Sequence, residues 1–246
     1  MLIKARDLMR ESWTLYKNNF LFFIKIAAWL LIPAVILTVL PALDTGGKFF
    51  GLINIFSLLV YLFTIFFLAS LISIALVLAI NGLLKKERVD MKAIYNASYS
   101  KIISYIWISV LVTVAILGGT LLLIIPGIIF SIWFSFSLYI LILSGSRGTQ
   151  SLSESRELVK GYFWPVLWRW VAPYFVFGLL LTVIFVIPVY LIGLAIGNPM
   201  AGFAAETPWW ADLISSVLSI LTVPLFTIIG VLLYNSLKKE KESTVK

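Results

Sequence analysis

The chain has neither cysteine nor histidine, and only 12% of its 246 residues are charged. Without cysteine there is no disulfide framework to report a compartment, and no thiolate for a soft metal or a nucleophile. Without histidine, Ser-His and Cys-His nucleophiles and the His-Glu-x-x-His metal motif are excluded, and nothing offers an imidazole for proton transfer. The 11 acidic residues sit in loops or at the ends of apolar runs, and no Walker loop, Gly-x-Gly-x-x-Gly or paired-carboxylate pattern occurs. The expectation is a protein that is not an enzyme, with no catalytic residues, no cofactor and no metal.

Apolar residues are abundant instead, at 61% of the chain, and the mean hydropathy is +1.06. So little charge does not cover a soluble surface. Uncharged apolar stretches fall at 20–43, 50–84, 102–125, 127–143, 168–194 and 209–237. A helix of roughly 18–20 apolar residues crosses about 30 Å of hydrocarbon, so the sequence predicts an all-α polytopic membrane protein. It forms one domain, 1–246, with about six transmembrane helices. The second stretch is longer than one crossing needs and too short for two, so it tilts, projects or starts with an interfacial turn around 49–54. The fourth is the shortest, and Pro126-Gly127 before it reads as a turn with almost no loop. The apolar run after the charged first residues exceeds a signal-peptide core, and no cleaved signal is expected.

Basic residues are distributed one-sidedly. Lys4, Arg6, Arg10, Lys17 and Lys25, then Lys85, Lys86, Arg88, Lys92 and Lys101, then Arg147, Arg156, Lys160 and Arg169, and finally Lys238, Lys239, Lys241 and Lys246 fall on one side. Only Lys48 lies outside that set, while Asp44, Glu206 and Asp212 mark the other side. Cytoplasmic segments retain Lys and Arg, so both termini are expected in the cytoplasm. The excess of 19 basic over 11 acidic residues then reports orientation, and no nucleic acid is expected as a partner. Lys25 and Arg169 lie close enough to the cytoplasmic ends to extend their charges to water.

Three cytoplasmic segments have a helical apolar stripe directly before an odd-numbered span, and each reads as an interfacial amphipathic helix. The first stripe is Leu2, Ala5, Leu8, Met9, Ser12, Trp13, Tyr16 and Phe20. The second is Met91, Ile94, Ser98, Ile102 and Tyr105 behind a capping Asp90, with Val89 and Ile94 at staple positions. The third is Leu152, Ser155, Val159, Tyr162 and Phe163, with Ser151 and Glu154 at capping-box spacing. Ser12-x-x-Leu15-x-Lys17-x-x-Phe20 aligns with Ser155-x-x-Leu158-x-Lys160-x-x-Phe163, and Lys101 takes the same place in the middle segment. Leu40-Pro41, Ile125-Pro126 and Ile187-Pro188 follow the three lysines at similar distances. A parallel repeat of three units is expected, 1–85, 86–145 and 146–238, with a short tail at 239–246.

Inside the spans the polarity is mild: Ser, Thr and Asn such as Ser73, Ser131, Ser135, Ser137 and Asn235 let helices approach and hydrogen-bond, or line a polar conduit. Pro33, Pro173, Pro188 and Pro224 kink helices or free carbonyls toward a cavity. Trp13, Trp164, Trp168, Trp170, Trp209 and Trp210 read as interfacial anchors that fix depth. Arg156, Lys160, Arg169, Lys17 and Lys101 are the candidate contacts for anionic lipid, each worth about 1 kcal/mol at a negative leaflet.

The stretch 125–169, with Pro126-Gly127-Ile128, the uncharged span after it and Ser151-Leu152-x-x-Ser155-x-x-Leu158-Val159-Lys160-Gly161-x-x-Trp164, resembles a known family. It is similar to the membrane domain of bacterial glycerophosphodiester phosphodiesterases and to YciC-like multi-span proteins. That resemblance implies a six-span bacterial inner-membrane protein, without the catalytic barrel of the fused members and without an established activity. Members often carry an acidic residue where this chain has Ser144. Two functional classes remain open. One is a non-enzymatic scaffold or accessory protein whose partners are the phospholipid bilayer, anionic lipid or another membrane protein. The alternative is a channel or transporter for a lipid-like or amphiphilic substrate.

Overall fold

The computed structural model describes residues 2–35, 55–146, 148–195, 197 and 208–244, and every regular element among them is helical. In chain order these are α1 (Ala5–Asn18), α2 (Phe20–Ala27), α3 (Ile55–Leu84), α4 (Met91–Leu122), α5 (Ile124–Trp133), α6 (Ser137–Ser144), α7 (Gln150–Val159), α8 (Phe163–Ala195) and α9 (Trp209–Thr244). A 3₁₀ turn, Ala28–Leu30, carries α2 on to Val35. Five helical stretches are long and apolar enough to cross a membrane, and α1 with Phe20–Val35, bent by 81°, makes a sixth if counted as one broken span. The end of the expected first span, and the expected turn at 49–54, lie outside the described residues.

The long helices exceed what a bilayer needs. α4 has 32 residues, α8 has 33 and α9 has 36. At 1.5 Å per residue these run roughly 48–54 Å, well beyond about 30 Å of hydrocarbon. Burial shows where the surplus goes. Leu71, Ile72, Ile74 and Leu76 of α3 and Ile228, Ile229, Leu233 and Leu237 of α9 are buried near the ends that carry the basic residues. Leu59, Leu62, Phe63 and Phe66 of α3, and Phe175, Leu179 and Val183 of α8, are exposed apolar side chains farther along, as lipid-facing helices require. The core therefore sits at the basic end of the bundle.

The second amphipathic segment is not a separate helix, because α4 runs unbroken from Met91 through Lys101 into the span. Nothing in 91–102 breaks it: there is no Pro or Gly, and the stripe simply continues. Its start behaves as expected, since the Asp90 carboxylate accepts from the backbone N–H of Lys92 at 3.3 Å and of Ala93 at 3.2 Å. Asp90→Ala should cost about 1 kcal/mol in thermal unfolding of the micelle-embedded protein, the usual loss for a helix cap. An unchanged midpoint would show that packing alone fixes this end.

The first amphipathic helix packs lengthwise on α9. Ile3 N–H donates to Ser236 Oγ at 2.9 Å, and the Tyr16 hydroxyl donates to the Leu221 carbonyl at 2.7 Å. Those acceptors are about 22 Å apart along α9, the length of α1 itself, so α1 lies antiparallel to α9. Leu8, Ser12 and Tyr16 point inward from it, while Trp13 stacks on Phe177 of α8 at 6.3 Å.

The turn expected at Pro126-Gly127 falls three residues earlier, at Leu123. Leu123 alone is extended, and Pro126 falls in the first turn of α5, where its missing N–H has no intrahelical acceptor to disappoint. Gly127 serves close approach: a Cβ there would run into Thr120 Oγ1 and stand 3.0 Å from Thr120 Cα. Pro-Gly marks a turn in many chains, but it also occurs where one helix must start and lie tight on another, and that is its place here.

Candidate functional site

The span 124–144 is discontinuous. α5 ends at Trp133, a turn occupies 134–136, and α6 restarts at Ser137. A break leaves backbone groups without helical partners, and α7 supplies them from outside the span. Ser155, fully buried, donates its hydroxyl to the Trp133 carbonyl at 2.7 Å and accepts from Phe136 N–H at 3.2 Å. Arg156, next in sequence, lies over the Trp133 ring at 4.5 Å. α7 is thus a brace across the broken span.

The start of α7 differs from the expected capping box. Thr149 is the N-cap residue and makes no side-chain cap, Ser151 Oγ donates to the Gly148 carbonyl at 3.1 Å, and the Glu154 carboxylate accepts from Ser146 at 2.7 Å and Gln150 at 2.8 Å. A buried Ser151 is turned toward the preceding glycine, so it cannot reach the N–H groups of the first turn. Ser144 pairs with the Tyr234 hydroxyl at 2.9 Å.

The five candidate lipid-contacting cations do not form one patch. Lys101 Nζ donates to the Ile142 carbonyl at 2.6 Å, satisfying one of the free carbonyls in the last turn of α6. Arg169 donates through Nε to the Ile3 carbonyl, through an Nη to Leu2 at 3.4 Å and through the other to Pro165 at 2.9 Å, tying the N-terminal segment to α8. Arg156 is exposed but stacked on Trp133. Lys160 faces Glu157 at 3.6 Å with both side chains largely exposed, a pair worth little in water. Lys17 is exposed at the end of α1.

Above the basic end, a cavity of about 380 Å³ opens between α3, α4, α5, α6, α8 and α9. Its walls hold the hydroxyls of Ser73, Tyr105, Ser131, Ser135, Tyr139 and Thr227, the indole of Trp170, and Val77, Ile132, Leu138 and Ile142. Among the described residues no charged side chain lines it. Ser131 and Ser135 donate to their own Ile128 and Ile132 carbonyls at 2.8 and 2.9 Å, and Thr227 to Val223 at 2.8 Å, so these three present acceptor lone pairs. The Trp170 Nε1–H is buried without a hydrogen-bond partner. An unmet buried donor costs about 1–3 kcal/mol.

Sequence pattern places Trp170 with the interfacial anchors, and the structure moves it inside. Its ring packs against Phe136 at 6.2 Å and Tyr174 at 5.9 Å, whereas Trp164 and Trp168 are 73% and 63% exposed. Trp13 and Trp209 are also largely exposed and Trp210 is half-buried. A tryptophan two residues from an outward-facing one points elsewhere on a helix, and that spacing is the available signal. A second, larger groove of about 510 Å³ runs along the polar side of α1, lined by Asp7, Arg10, Glu11, Thr14 and Asn18 with Leu84 and Leu232.

No protein-family model, no curated protein and no solved structure matches this chain.

Proposed function

We propose that the chain is a multi-pass protein of a bacterial inner membrane, with both termini in the cytoplasm, acting as a non-enzymatic scaffold or accessory protein. Its basic face would hold anionic lipid headgroups or a membrane-protein partner. The observation that carries this is the exposure of Lys17, Lys85, Lys86, Arg88, Lys160, Lys238 and Lys239 around the end where the core is densest. A rigid core beneath a mobile-stemmed cationic surface suits retention of headgroups more than turnover. Lys101 and Arg169 are occupied inside the protein and contribute depth and anchoring instead. The resemblance of 125–169 to the phosphodiesterase-associated membrane domain fits the same setting. α1 and α7 also share a buried serine, a lysine at the helix end and a break before the next helix, which supports a repeat between the first and third units.

Replacing the seven exposed cations by Gln should leave the fold intact and reduce co-purified phosphatidylglycerol in native mass spectrometry. Each residue is worth about 1 kcal/mol near an anionic surface, so the loss is several-fold per site and steeper at low salt. Retention that is unchanged at low salt would overturn the proposal.

The second reading, a channel or transporter for a lipid-like substrate, is favoured by the cavity at a discontinuous helix, the arrangement in which many transporters bind substrate. Movement of a fluorescent lipid across proteoliposomes, absent from protein-free vesicles, is its test.

A further inference from the structure

We propose that the groove bounded by α1, the end of α3 and α9 holds the headgroup of a phospholipid with a primary ammonium on a phosphodiester, phosphatidylethanolamine. Asp7, Arg10, Glu11, Thr14 and Asn18 recur at helical spacing on one face of α1 and line the groove of about 510 Å³ together. Asp7 and Glu11 are one turn apart, with Arg10 between them in sequence. Among the described residues none of these three has an ion-pair or side-chain hydrogen-bond partner, although their spacing allows one. Charges of both signs therefore stand open to a ligand. The two carboxylates match the N–H donors of a primary ammonium, and the guanidinium takes phosphate oxygens in its planar fork. Thr14 spends its proton on the Arg10 carbonyl at 2.8 Å, which leaves its lone pairs for the same ammonium. Related headgroups fit less well. A quaternary choline has no N–H to donate, an anionic glycerol head brings no cation to the carboxylates, and a neutral acylglycerol leaves all three charges unmatched.

The surroundings favour a lipid over a soluble amine. Leu15, Leu84 and Leu232 complete the groove with apolar wall. Leu84 closes α3 directly before the exposed Lys85 and Lys86, which sets the groove at the basic end of the bundle, where span ends meet headgroups. The polar stripe of α1 ends at Asn18, and Phe20 and Leu21, 38% and 73% exposed, follow it. Polar wall giving way to bare apolar side chains is the order in which a headgroup gives way to its acyl chains. None of the seven cations assigned to anionic lipid lines this groove, so the site stands apart from that proposal.

The experiment uses the full chain in detergent micelles with equal amounts of phosphatidylethanolamine, phosphatidylcholine and phosphatidylglycerol, told apart by acyl mass in native mass spectrometry. Phosphatidylethanolamine should be retained about fivefold over phosphatidylcholine, the scale of a favourable exposed charge pair. Asp7→Asn combined with Glu11→Gln should abolish that preference, and Arg10→Gln should lower phosphatidylethanolamine retention by a similar factor. All three side chains are exposed, so the variants should stay folded. Glu157→Gln, which removes an exposed carboxylate outside the groove, should leave the preference intact. Replacing the seven exposed cations should also leave it intact while phosphatidylglycerol is lost, so the two proposals fail separately. Equal retention of phosphatidylethanolamine and phosphatidylcholine by wild type would overturn the site. So would a preference that survives the groove variants, one that Glu157→Gln also removes, or displacement of the lipid by free phosphoethanolamine at equal concentration.

Discussion

Replacing Ser155 by alanine is expected to destabilise the protein in micelles by about 2–4 kcal/mol, while the same change at Ser12 moves it by less than about 0.5 kcal/mol. Both serines are fully buried on amphipathic helices and occupy aligned positions in sequence, so burial alone predicts equal effects. Their bonding separates them. Ser155 serves two backbone groups of the broken span at once, the Trp133 carbonyl and the Phe136 N–H. Alanine leaves both without a partner, and Phe136 is itself fully buried, so water does not readily replace the hydroxyl. Ser12 Oγ has no partner, and its removal deletes a hydroxyl that burial already penalises. Unfolding of the two variants against wild type measures the difference directly. Equal losses would mean that α7 acts only through packing, and the brace would have to be abandoned.

That contrast also marks how far the sequence can be read. The apolar runs announce the long helices because hydrocarbon demands a composition, and composition is local. Stripes at helical spacing announce α1 and α7, and Ser12 and Ser155 both turn inward as the stripes require. What covers each stripe is not legible. An amphipathic face fits a headgroup layer or a neighbouring helix equally well, and for α1 the neighbour is α9, met at Ser236 and Leu221 some two hundred residues away. The bond from Ser155 to the α5–α6 turn is of the same kind. Ser131, Ser135 and Ser137 are the only local hint of a break, and hydroxyl residues are common in unbroken membrane helices.

Cations mislead for a related reason. A lysine at a span end serves a lipid phosphate and a bare helix carbonyl with the same ammonium group. Lys101 meets Ile142 because α4 and α6 lie side by side, an arrangement that follows from the hairpin at Leu123 and not from the residues around Lys101. In the sequence the cavity is no more than a scatter of hydroxyl residues with no common location. Trp170 reaches its wall through the rotation of α8, which sequence constrains only through the contrast with the exposed Trp168.

The helix hairpin itself gives the last expected result: Gly127→Ala should cost about 3 kcal/mol, and Gly118→Ala nothing measurable. The α4–α5 pair meets across Gly119, Thr120 and Gly127, where the backbones are too close for a methyl group. A Cβ on Gly127 would overlap Thr120 Oγ1 and stand 3.0 Å from Cα and 3.1 Å from Cβ of the same residue. The Cα belongs to backbone and has no rotamer to escape into, so α5 must shift away from α4. Any such shift carries Ser131, one turn further along α5 on the cavity wall, with it. Gly119→Ala meets Phe130 Cδ2 at 2.7 Å and the Gly127 backbone at 3.1 and 3.2 Å, and should behave like Gly127→Ala. Gly118 has nothing within 4 Å of a Cβ placed in the same way, although it is adjacent in sequence and identical in type. There the greater helix propensity of alanine is free to act, so that variant should be neutral or slightly stabilised. Thr120→Ala added to Gly127→Ala removes the hydroxyl overlap and leaves the crowding against the residue 120 backbone, so it should recover part of the loss and not all of it. Thermal midpoints of the four variants in one detergent decide the matter. A Gly127→Ala protein as stable as wild type would mean that the two helices do not approach as closely as Gly127 and Thr120 place them.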